Sequence, residues 1–153
     1  MKKSKTLVLG VNYKGVENYA KDYFKSIVDQ DTDQFDLLIL NDNTASLKLG
    51  EMNVNFDEIM ISEHRSPALI RSDGLHYAIN NDYQNLIFSD LDDFFSINRI
   101  SLSISELKKY DFVFNEIHLI DQNSEIIDEN YLYQICLGKN VNSFNQILDY
   151  IIR

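Results

Sequence analysis

The chain is short of several residue types, and each shortage excludes something. It holds one cysteine, Cys136, in 153 residues, so no disulfide can close within it. A reducing cytoplasm is compatible with that, and the residue itself reads as a small buried apolar side chain. It holds one proline, Pro67, and no stretch that resembles a hinge, a linker, a repeat or a low-complexity tract. No apolar run approaches the roughly 20 residues that a helix needs to cross a bilayer. The basic opening MKKSK leads into TLVLGV, which is shorter than the core of about 7–15 residues in a secretory leader. Basic residues are scarce too: 14 Lys and Arg face 24 Asp and Glu, for a net charge of −10 and a pI near 4.6. Such a field disfavours non-specific contact with nucleic acid or an anionic membrane. An anionic ligand would need a local basic group or a metal ion to offset it.

What is present is a globular composition, 44% hydrophobic and 12% aromatic. The length suits one domain over residues 1–153, large enough to bury roughly 70% of the surface that its unfolded chain exposes. TLVLGV at 6–11 and FDLLIL at 35–40 are short continuous apolar runs, as in strands buried on both faces. Between them Val16, Tyr19, Ala20, Tyr23, Phe24, Ile27 and Val28 keep helical spacing. Strand, helix, strand with short links reads as a βαβ unit, hence a parallel sheet with a right-handed crossover. After an irregular polar stretch, a short strand is expected at 57–62. A helix follows, with Ser66 as its cap and Pro67 at its first position, running to Asn80. NLIFS at 85–89 is the next strand. Ser103 with Glu106 predicts a capped short helix to about Lys109, FVFN at 112–115 a strand, 117–121 with 125–128 a hairpin, and 144–151 a C-terminal helix. The fold class is α/β, a mostly parallel sheet flanked by helices.

In open α/β sheets ligands bind outside the carboxyl ends of the strands. Three such ends carry polar groups here: Asn12-Tyr13, Asn41-Asp42, and the run Asp90, Asp92, Asp93. Three carboxylates within four residues repel one another unless something positive sits among them. Mg²⁺ and Mn²⁺ take oxygen ligands and often join one or two carboxylates to substrate phosphates. Asp90 and Asp92, two apart, would point the same way from an extended chain. The plainer reading of the same run is an acidic loop capping the next helix. His64, His76 and His118 are scattered and match no metal spacing.

Four segments, in order, resemble the family-2-type inverting nucleotide-diphospho-sugar glycosyltransferases of the GT-A fold. TLVLGVNY resembles the family's opening strand, with Asn12-Tyr13 in a turn that usually carries a proline. SIVDQDTDQFDLLILNDNT follows with Gln30, Phe35 and Asp42-Asn43-Thr44 in register, although Asn41 replaces the first aspartate of the usual pair. ALIRSDGLHYA supplies Arg71 and Gly74, with Ser72 where asparagine is usual. NLIFSDLDDFF supplies the aspartates. The match covers about residues 6–100, and it implies the following roles. Tyr13 packs on the nucleotide base beside Asn12, and Asp42 accepts from a base N–H. Arg71 lies near the base or diphosphate, and Asp90 near the ribose and metal. Asp92 is the main ligand of Mn²⁺ or Mg²⁺, with Asp93 a second.

The implied activity is metal-dependent, inverting transfer of a sugar from a nucleotide-diphospho-sugar, a UDP-sugar favoured, to a glycan or other acceptor. Polysaccharide biosynthesis in the cytoplasm or at the membrane periphery, with a homo-oligomer or partner subunit, fits that class. An inverting transfer also needs a base to deprotonate the acceptor. The family's base lies in a second half that is reduced or missing here. Glu116, Asp121, Glu125, Asp128 and Glu129 remain, and of these Asp121 is the weak candidate. A non-catalytic nucleotide-sugar-binding or interaction module on the same fold is the alternative.

Overall fold

The computed structural model describes residues 5–47, 49, 52–63, 65–115, 117–121 and 125–129. The chain divides into two compact units, Met1–Asp111 and Phe112–Arg153. In the first, β1 (Thr6–Asn12), α1 (Ala20–Val28), β2 (Asp36–Asn41), β3 (Asp57–Met60), α2 (Pro67–Asn80), β4 (Asn85–Phe88) and α3 (Arg99–Leu107) follow in order. The four strands make one parallel sheet in the order β3-β2-β1-β4. This is the GT-A-like α/β arrangement expected from the sequence.

The continuous apolar runs explain the sheet. Every residue of β1 is buried, because the strand is central and has a helical layer on each face. Val8, Leu37, Ile39 and Ile87 join Ala20, Tyr23, Phe24 and Ile27 of α1 and Ile100 of α3 in one cluster. Leu7, Leu9, Val11, Leu38 and Leu40 join Ile70 and Ala78 of α2 in the other. Alternate residues of one strand thus supply two cores. Gly74 lets α2 come close: a methyl group there would collide with the Leu9 side chain.

The strand order matters for function. Successive strands step outward from β1 to β2 to β3, and the chain then returns past β1 to lay down β4 on its other side. The direction of winding reverses between β1 and β4. Outside the carboxyl ends of those two strands is the crevice where open α/β sheets take ligands.

Several expectations shift. The helical spacing begins at Val16, yet regular helix starts at Ala20. Gly15, at φ 106°, turns the chain, and Val16 is an anchor whose carbonyl accepts from the Tyr19 and Ala20 N–H groups. Ser66 caps α2 as expected, accepting from the Leu69 N–H. The capping box at Ser103 does not form. Helix α3 begins four residues earlier, and the Ser103 hydroxyl donates to the Arg99 carbonyl at 2.8 Å, a back-bond open to a serine inside a helix. FVFN at 112–115 is not a strand. The Phe112 and Phe114 rings do meet, 4.4 Å apart, but no strand among the described residues pairs with the segment. The hairpin is present in the second unit as β5 (Leu119–Ile120) and β6 (Ile126–Asp128), antiparallel. The helix expected at 144–151, with Cys136 and His64, lies outside the described residues.

Candidate functional site at the carboxyl ends of the strands

Strand β1 ends in Asn12 and Tyr13. The Asn12 carbonyl accepts from the Asp42 N–H at 2.8 Å, which fastens the ends of β1 and β2 together. The Asn12 side chain is fully buried, and neither its amide nitrogen nor its oxygen has a partner. One Asp42 carboxylate oxygen is buried and unpartnered as well. Buried polar groups are rarely left so.

Asn41 is occupied. Its NH₂ donates to Glu58 at 2.7 Å, and its oxygen accepts from the Thr44 N–H and hydroxyl, both at 2.8 Å. The turn passes through Asn43 at φ 53°, a left-handed conformation that asparagine tolerates.

The aspartate run is a turn. The Asp93 N–H donates to the Asp90 carbonyl at 3.0 Å, and the Asp90 N–H donates back to the Asp93 carboxylate at 3.1 Å. Leu91 is completely buried and pins the turn to the core. Asp90 and Asp92 therefore do not point alike, as an extended chain would have them. Both Asp90 oxygens accept from one Arg71 nitrogen, at 2.6 and 2.7 Å. Asp92 is exposed, and its Oδ2 accepts from the Tyr13 hydroxyl at 2.9 Å. Burial, then the Asp92 hydrogen bond and the surrounding carboxylate charges, pushes the Tyr13 phenol up to about 12. It therefore remains a donor at neutral pH.

Burial, the largest cause, raises the Asp93 carboxyl against the Asp90 N–H, which lowers it. Arg99 opposes the rise from the first turn of α3. Its own pKa is lowered by burial, and Asp93 acts the other way. Its guanidinium lies 5.0 Å over the Phe95 ring, and its Nε is buried without a partner. Below the turn the Tyr23 and Ser89 hydroxyls are 2.8 Å apart, and Ser89 donates to the Leu9 carbonyl at 3.1 Å.

Asn12, Tyr13, Asp42, Arg71, Asp90, Asp92 and Asp93 thus all sit on one edge of the first unit. Tyr13 meets Asp92 there, and Arg71 meets Asp90. The sequence reading missed Arg99, because nothing in its neighbourhood signals that α3 begins there. It missed the Asn41–Glu58 pair because its members lie on different strands. Asp121 belongs to the second unit. Its N–H donates to the Glu125 carbonyl and its carboxylate accepts from the Glu125 N–H, both at 2.9 Å, so it closes the β5–β6 turn. Glu116 lies outside the described residues.

Among the described residues no three His, Cys, Asp or Glu side chains stand together as a ready metal set. Asp90 is tied to Arg71 and Asp93 to the backbone. The donor set does not fit a three-carboxylate cage. It does fit a cation held by exposed Asp92 together with ligand phosphates, the usual habit of Mg²⁺. A separate cleft of about 1080 Å³ lies at the opposite, amino ends of the strands, lined by Phe35, Asp36, Phe56, Asp57 and Tyr83 among others. Asp36 accepts there from the Tyr83 hydroxyl at 2.9 Å. The strand-end edge is the better candidate, because it lies at the winding reversal and carries the unpartnered polar groups.

No protein-family model matches the chain, and no curated protein sequence matches it. Solved structures do. TarS of S. aureus superposes with a TM-score of 0.53 at 16% identity, over 68% of this chain and 19% of that one. TarS 1-349 in complex with UDP gives 0.56 at 15% identity, over 78% of this chain and 43% of that one. The likeness establishes the fold. The chain spans less than half the length of either TarS chain.

Proposed function

We propose that this chain is the donor-binding part of a glycosyltransferase that takes a nucleotide-diphospho-sugar, with a UDP-sugar favoured. The observation that carries the reading is the meeting of Tyr13 with Asp92, and of Arg71 with Asp90, at the winding reversal of a GT-A-like sheet. Its support from outside the chain is that TarS, a glycosyltransferase, shares the fold and has been crystallised with UDP.

Each residue then has a task. The half-buried Tyr13 ring offers a face to the base. Asp42, half-buried, provides an acceptor for the base edge, and the buried Asn12 holds the Asp42 backbone in place below it. Arg71 offers positive charge to the diphosphate in an otherwise acidic surround, while Asp90 holds its guanidinium in place. Asp92 holds Mn²⁺ or Mg²⁺ together with the phosphates, and Asp93 stands beside it. The cation, when bound, would supply the charge that offsets the departing diphosphate. The sugar goes to a glycan or other acceptor, and the transfer is inverting.

A non-catalytic binding module is the second reading, and one observation favours it: Asp121, the candidate base, is engaged in closing a turn. Turnover separates the two, since a binder neither transfers nor slowly hydrolyses the sugar. The test of donor binding is calorimetric titration of UDP and GDP, with and without Mn²⁺. Metal-dependent binding of one nucleotide is expected. Absence of binding by both would sink the reading. Asp92→Asn is expected to abolish the metal-dependent part while leaving the circular dichroism spectrum and melting temperature intact, and unchanged binding in that variant would remove the metal assignment.

A further inference from the structure

Asp92 is exposed, and nothing in the turn itself holds its carboxylate. The reciprocal bonds run between Asp90 and Asp93, and Leu91 anchors the backbone. The group that fixes the Asp92 side chain is the Tyr13 hydroxyl, 79 residues away in sequence. Tyr13 is well placed to do so. Its ring packs against both apolar clusters, and its carbonyl accepts from the Val16 N–H at 3.3 Å, so the phenol cannot wander. An exposed aspartate left alone samples several rotamers, and ordering it on ligand binding costs free energy. Carboxylates that hold metals are themselves commonly held by hydrogen bonds, and removing those outer partners weakens metal binding by about 10–100-fold.

We propose that Tyr13 is a positioning residue, whose hydroxyl holds one oxygen of Asp92 so that the other is presented to a divalent cation shared with the donor diphosphate. The inference rests on the donor-site reading above. It gives Tyr13 two separable parts: a ring that serves the nucleotide and a hydroxyl that serves the cation. Tyr13→Phe keeps the first and deletes the second.

The experiment measures Mn²⁺ binding to the whole chain by the loss of the free-ion electron paramagnetic resonance signal, in saturating UDP. UDP affinity without metal and melting temperature are measured beside it, for wild type and Tyr13→Phe. The expected result is Mn²⁺ binding at least about tenfold weaker in the variant, a clearly larger loss than any in metal-free UDP affinity, with the fold retained. Equal Mn²⁺ binding by the two proteins would overturn the proposal and leave the donor site standing. A parallel loss of metal-free UDP affinity would also overturn it, by assigning the hydroxyl to the nucleotide. So would loss of the fold, by making the hydroxyl a structural tie. Wild type that takes up no Mn²⁺ would fail the donor-site reading itself, and the proposal with it.

Discussion

Asn41 is fully buried, with its NH₂ on Glu58 and its oxygen on Thr44. The family pattern that the sequence resembles has an aspartate there. A second carboxylate 2.7 Å from Glu58 could not donate, and the pair would have to bind a proton or separate. The amide is therefore the side chain that this neighbour requires. Asn41→Asp is expected to cost about 1–3 kcal/mol, the range for leaving a buried group unsatisfied. Glu58→Gln, which restores a donor, should recover much of that loss in the double variant. Urea melts of the four proteins check it, and strictly additive losses would break the explanation. The departure at 41 was legible in the sequence, but its reason was not, because Glu58 lies on the neighbouring strand. The same holds for Tyr13 and Asp92: each was a candidate alone, and only the fold makes them partners.

Helix α2 carries Arg71 one turn before Gly74, whose bare backbone rests on Leu9. Alanine is the better helix former by about 1 kcal/mol. Against that, forcing a methyl into a packed contact costs about 1–3 kcal/mol, and Leu9 is wholly buried with little room to yield. Gly74→Ala is therefore expected to destabilise and, by lifting the helix from β1, to weaken UDP binding through Arg71. A variant more stable in urea than wild type would show that the close approach is not needed.

The elements that the sequence announces well are those whose surroundings are uniform. Strands β1 and β2 read as unbroken apolar runs because both faces are covered, and α2 is announced by Ser66 and Pro67. Helix α3 is announced poorly, since Asn98 caps it without a side-chain bond while Ser103 and Glu106 mimic a start inside it. The apolar run at 112–114 has the look of a strand, but a short apolar run alone does not supply a neighbouring strand to pair with.

At the scale of the molecule, every residue assigned to the donor lies within Met1–Asp111. A chain ending at Asp111 is expected to unfold cooperatively and to bind UDP with the affinity of the whole. Loss of binding in a folded fragment would place part of the donor site in the remaining residues. The sheet has one further consequence, for the order in which the molecule can be made. Strand β1 is interior and the first of the described strands, and its Thr6 must wait for Asn85, 79 residues later, before that flank is paired. At about 5–20 residues per second, a ribosome leaves the β4 flank of β1 open for roughly 4–16 s. Over that interval a mostly apolar strand, joined to β2 once Asn41 has been made, presents a bare row of backbone donors and acceptors to any other nascent chain.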